Sequence, residues 1–87
     1  MPVELTQANH EQYTILIVDD VVSNVLLLKV LLSKEKYNIL TASGGKEAIA
    51  ITMEKKPDLI LLDVMMPEIT GFEVAQKLKD NPETSQI

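Results

Sequence analysis

The sequence predicts an α/β fold in which a parallel sheet of about three strands is flanked by helices. Two observations carry that prediction. Short, β-branched apolar runs without polar alternation, such as "TILIV" at residues 14–18, read as strands covered on both faces. They alternate with segments of helical period, in the order strand, helix, strand, helix, strand, helix, and such alternation favours right-handed crossovers in a parallel sheet.

The elements follow in order. Residues 1–12 are polar and aperiodic and are expected to form a flexible tail, which holds the sole histidine, His10, as a solvated side chain. After "TILIV", the segment from about Val22 to Lys36 contains "VLLLKVLL", apolar nearly all round, so this helix requires cover on two sides. "NILTA" (38–42) is a second strand and "SGG" (43–45) a turn. Residues 46–55 form an amphipathic helix expected to bury Ala48, Ile49 and Met53 and to stop at Pro57. "LILL" (59–62) is a third strand ending at Asp63. A last helix, from about Phe72 to Lys79, is expected to bury Val74, Ala75 and Leu78.

Composition narrows the function. A chain of 87 residues is at most one domain. Without cysteine it has neither disulfides nor thiolate metal sites, which fits a cytoplasmic protein. Its net charge of −5 disfavours nucleic acid as a partner. The start has no basic flank or apolar run of the kind a signal peptide needs, and the longest apolar run, Val25 to Leu32, is broken by Lys29 and too short to cross a bilayer.

Two apolar strands end in aspartate: "ILIV" runs into Asp19 and Asp20, and "LILL" into Asp63. Parallel strands end at one edge, where open α/β sheets bind ligands, so neighbouring strands would gather the three carboxylates in one acidic pocket. Like charges about 4 Å apart repel by roughly 1 kcal/mol in water and about 4 kcal/mol at an effective dielectric near 20. Three of them call for a cation. Oxygen ligands with no cysteine or histidine nearby suit Mg²⁺ or Mn²⁺. A metal beside a carboxylate can screen an incoming phosphoryl group while the carboxylate attacks. Alone, Asp19 and Asp20 would read as a solvated turn or helix N-terminus; Asp63, followed by "MMP" and a glycine, favours the pocket.

The stretches "ILIVDD" and "PDLILLDVMMPEITGFEV", with their spacing, resemble the receiver domain of two-component response regulators. The resemblance implies the flavodoxin-like three-layer fold with strand order 2-1-3-4-5. It implies Asp63 as the phosphoacceptor, taking a phosphoryl group from a phosphohistidine of a sensor histidine kinase or phosphotransfer protein. Asp20 matches a direct metal ligand, Asp19 one that holds the metal through water, and Met65 the position that gives a backbone carbonyl. Pro67 and Gly71 match the family loop, the glycine giving backbone freedom before the next helix. Thr70 stands where aspartate is common and carries no assigned role. Asn24 is a residue often found in receivers of hybrid kinases.

A receiver normally has five strands and five helices, and this chain stops at Ile87, where the fourth strand would begin. Residues 13–87 are thus expected to be a partial receiver domain of about three strands and three helices. The hydroxyl residue and the lysine that the resemblance places on the fourth and fifth strands match no residue here. The third strand becomes an edge and the first helix lacks cover, so self-association through either is expected.

The leading expectation is a phosphoacceptor signalling domain, self-phosphorylating rather than a turnover enzyme, whose activity in so short a chain stays open. A non-phosphorylated interaction or dimerisation fragment is the alternative. A phosphohydrolase with an aspartyl-phosphate intermediate typically places a second acid two residues after the nucleophile, where Met65 stands. Neither GxGxxG nor a Walker lysine loop is present, so nucleotide binding drops out.

Overall fold

A computed structural model describes residues 13–87; the expected tail and His10 lie outside them. Three strands, β1 (Thr14–Val18), β2 (Asn38–Ala42) and β3 (Leu59–Leu62), alternate with three helices, α1 (Val22–Ser33), α2 (Gly45–Lys55) and α3 (Gly71–Asp80). All strand pairing is parallel, in the order β2-β1-β3. The strands have the residues that the apolar runs indicated.

The chain moves one way from β1 to β2 and then returns past β1 to β3. With right-handed crossovers, that reversal puts α1 and α2 on opposite faces of the sheet. Alternate residues of β1 follow the two faces. Leu16 and Val18 join Ala42, Ala48, Met66, Ile69, Val74 and Leu78 in the core that lies under α2 and α3. Ile15 and Ile17, also buried, point to the face where α1 packs on β1 and β2. Full burial of an aliphatic side chain such as Leu16 is worth about 1.5–3 kcal/mol, so the central strand anchors both layers.

The helices depart from expectation in detail. α1 ends at Ser33, three residues early, because Lys36 takes a positive φ of 64° that a right-handed helix cannot contain. In α2, Ala48 is buried and Ile49 partly so, but Met53 is exposed and Thr52 occupies the buried position instead. Met53 lies about 100° further round the helix than Thr52, beyond the face that meets the sheet. Ala75 is likewise exposed, one residue round from Val74, while Val74 and Leu78 are buried as expected. α2 closes on Lys56 in the left-handed conformation at φ 48°, and the buried Pro57 follows. No helix among the described residues is long and apolar enough to cross a membrane.

Candidate functional site

Register brings the site together. Val18 is paired with Ala42 on one side and Leu62 on the other, so the three strands end level. The ladder continues one residue further: Asp19 N–H donates to the Ala42 carbonyl at 3.1 Å, and Asp63 N–H to the Val18 carbonyl at 2.9 Å. Asp19 and Asp63 are therefore held by backbone hydrogen bonds on adjacent strands. They stand where the strand order reverses, the place at which open α/β sheets form their binding crevice.

The carboxylates of Asp19, Asp20 and Asp63 each offer an oxygen within 4.8 Å of the others. Asp19 and Asp63 are half-buried and Asp20 is exposed. Asp19 is fixed at both oxygens: Oδ1 accepts from the Val21 N–H at 2.9 Å and Oδ2 from Asn24 Nδ2 at 3.2 Å. Asp19 thus closes the turn into α1 and is at the same time one of the three clustered carboxylates. Among the described residues, Asp20 takes no hydrogen bond. Asp63 Oδ1 accepts from the Met65 N–H at 3.2 Å. The Met65 side chain is 79% exposed and Met66 is buried, so the loop turns one methionine outward and seats the other in the core.

The loop after Asp63 is tied down from its far end. Gly71 N–H donates to the Val64 carbonyl at 2.9 Å. A Cβ on Gly71 would run into the Asp63 carbonyl oxygen and sit 2.8 Å from Val64 Cα. The expected role of this glycine needs correction: no glycine among the described residues has a positive φ, so Gly71 supplies space for a close approach and not backbone freedom. Gly45 plays a similar part, a Cβ there meeting the Ile69 and Val74 side chains. Between these anchors, Ile69 N–H donates to the Pro67 carbonyl at 2.7 Å across Glu68, whose φ is 68°. That tight turn drives Ile69 into the core.

Thr70, given no role from the sequence, is the N-cap of α3. Its side chain accepts from Glu73 N–H at 3.2 Å, and the Glu73 carboxylate accepts from Thr70 N–H at 3.0 Å. The spacing T-x-x-E of a capping box was the available signal. A second acidic residue near the site, Glu47, accepts from the backbone and hydroxyl of Ser43 at 2.9 and 3.0 Å, which holds the turn after β2. It is a turn-forming contact and not part of the carboxylate cluster.

A parallel α/β sheet with order 2-1-3 and carboxylates gathered at its switch point defines a class of acidic-pocket, flavodoxin-like domains. Comparison with known proteins gives the family. The family model for the response regulator receiver domain matches residues 15–87, and the chain belongs to that family. It is 51% identical over 73 residues to the response regulator PleD of Caulobacter vibrioides, covering 84% of this chain and 16% of that protein. Among solved structures it is similar to the N-terminal domain of a response regulator receiver protein from Methanoculleus marisnigri, with TM-score 0.84 and 37% identity over 86% of this chain and 61% of that one. It is also similar to the response regulator TrrA of Thermotoga maritima, solved in complex with Mg²⁺-BeF, with TM-score 0.78 and 39% identity over 82% of this chain and 62% of that one. The chain thus spans less than two thirds of each of these relatives.

Proposed function

We propose that the chain is a phosphoacceptor of two-component signalling, taking a phosphoryl group onto Asp63 from the phosphohistidine of a sensor histidine kinase or phosphotransfer protein. Asp19, Asp20, Asp63 and the Met65 backbone carbonyl would hold Mg²⁺ or Mn²⁺. The observation that carries this reading is the convergence of three carboxylates within 4.8 Å at the strand ends. At that separation each pair repels by about 3–4 kcal/mol at an effective dielectric near 20, so the cluster is matched to a cation. Its donors are hard oxygens, as Mg²⁺ and Mn²⁺ prefer. When bound, the cation would neutralise the charge that the phosphoryl oxygens bring to the carboxylates.

The chain's own groups divide the remaining work. Asp63 Oδ1 accepts from the Met65 N–H, which orients the carboxylate and leaves Oδ2 as the attacking atom. The new O–P bond forms as the P–N bond to the donor histidine breaks, and its electron pair returns to the imidazole. Asp19, locked by Val21 and Asn24, keeps its position as charge builds, and Asp20 meets solvent on the open side. Each Asp63 accepts one phosphoryl group, so the chain acts as a stoichiometric acceptor and not as a turnover enzyme. A net charge of −5 disfavours a nucleic-acid partner.

The test is intact mass after incubation with acetyl phosphate, with and without Mg²⁺, for the chain and for Asp63→Asn. A single Mg²⁺-dependent phosphoryl adduct that disappears in Asp63→Asn is expected. A folded chain that takes no adduct, or an adduct that persists in Asp63→Asn, would overturn the assignment.

A further inference from the structure

The first turn of α1 is poorly ended. Its N-cap is Val21, which makes no side-chain cap, and the turn holds no acidic residue. Valine is among the weakest N-cap residues, and an acid three positions on would meet the helix dipole favourably. α3 has both devices, with Thr70 at the cap and Glu73 at that third position. In α1 the third position is Asn24, and its amide reaches back five residues to Asp19 Oδ2 at 3.2 Å. Local rules of this kind are commonly broken where a site requires it.

The contact restrains one carboxylate of the three. An ionised carboxylate only accepts, so Asn24 presents its NH₂ and not its oxygen. With the Val21 N–H on Oδ1 at 2.9 Å, each oxygen of Asp19 has a donor from the chain. The two donors belong to separate groups, the main chain of the turn and a side chain of α1, so rotating the carboxylate breaks one bond or both. Asp63 has a donor on Oδ1 alone, and Asp20 takes none among the described residues. These two are free to adjust to a ligand where Asp19 is not.

We propose that Asn24 is a positioning residue: by holding Asp19 it limits how many carboxylates close on a cation, and so keeps the pocket suited to Mg²⁺ over Ca²⁺. The inference rests on the reading of the cluster as a divalent-cation site. Mg²⁺ keeps several of its waters and takes few carboxylates, a demand that Asp20 and Asp63 meet while Asp19 stays in its hydrogen bonds. Ca²⁺ takes about six to eight oxygens in flexible geometry, so a third carboxylate released to move inward favours it. An acid at position 24, which the helix end would favour, would instead add a fourth like charge beside the three.

The test is titration of the full chain with Mg²⁺ or Ca²⁺ alone and no phosphoryl donor, read from the amide resonances of residues 19–21 and 63–65. Asn24→Ala removes the donor. The ratio of the Mg²⁺ to the Ca²⁺ dissociation constant is then expected to rise by about tenfold through tighter Ca²⁺ binding, the lower end of what contacts behind a metal ligand are worth. Asn24→Gln keeps an amide donor and should stay near the wild-type ratio. Far-UV circular dichroism checks folding, and Asn24→Leu carries the same expectation should Asn24→Ala not fold. An unchanged ratio, an equal weakening of both cations such as a purely structural role would give, or a shift of the same size in Asn24→Gln would overturn the proposal alone. A wild-type chain that binds neither cation would overturn the cation site itself, and this inference with it.

Discussion

Gly71, the first residue of α3, lies so close to the carbonyl of Asp63 that no side chain fits between them. The helix start and the end of β3 are thereby locked together, and the Asp63–Met65 turn is held in a space bounded by backbone on both sides. A side-chain neighbour could rotate away from an added methyl group, but the Asp63 carbonyl and Val64 Cα cannot move without displacing the strand end.

Gly71→Ala is therefore expected to cost about 1–3 kcal/mol, the range for overpacking a filled site, read as a lower urea midpoint. It should also reduce acetyl-phosphate labelling of Asp63. Gly44→Ala is the control, since its Cβ would meet nothing within 4 Å. Equal behaviour of the two variants would show that the close approach at Asp63 is unimportant.

Charge in the cluster predicts opposite effects of one substitution with and without metal. Asp20→Asn removes a like charge near Asp19 and Asp63, so without divalent cations it should raise stability, by about 1 kcal/mol for so exposed a group. The wild-type chain should gain about 2.7 kcal/mol when Mg²⁺ reaches one hundred times its dissociation constant, and Asp20→Asn should lose most of that gain. Thermal melts across a Mg²⁺ series check both. A variant that keeps the full Mg²⁺ response would remove Asp20 from the ligand set.

The capping box predicts a coupling. Thr70→Ala should destabilise the chain by about 1 kcal/mol. Glu73→Ala loses the reciprocal bond, and the double variant should lose less than the sum, because each residue satisfies the other's end of the same turn. Additive losses in a urea-melt cycle would mean that the two bonds act independently.

Lys56 sets two effects against each other. It holds a left-handed conformation, which costs a residue with a Cβ about 1 kcal/mol, and it pairs with Glu83 at 3.1 Å. Both side chains of that pair are more than half exposed, so the ion pair contributes only a few tenths of a kcal/mol. Lys56→Gly should accordingly raise stability by about 0.5–1 kcal/mol. A lowered melting temperature would show that the ion pair outweighs the backbone term.

The three strands were legible in the sequence to the residue because "TILIV", "NILTA" and "LILL" are short apolar runs bounded by polar or turn residues. Helix limits were less so. The right-handed helix stops where a residue turns to positive φ, as Lys36 does, and lysine gives no warning of that in sequence. Exposure of Met53 and Ala75 was also hidden, since a helix period gives the apolar stripe but not how far round it the neighbouring layer reaches.

The sequence by itself determined the alternation of strand and helix, the placing of aspartates at two strand ends, and the membership in the receiver family that those motifs signal. Only the tertiary structure decided what surrounds them. Pairing β1 between β2 and β3 brought Asp19, Asp20 and Asp63 together, because carboxylates far apart along the chain become neighbours only through register. Gly71 became a spacer and Thr70 a cap through contacts with Asp63 and Glu73 that depend on where the helix starts. And α1, apolar nearly all round, acquired a covered side and an open one when it settled on β1 and β2, because a helix rests on a sheet along one line.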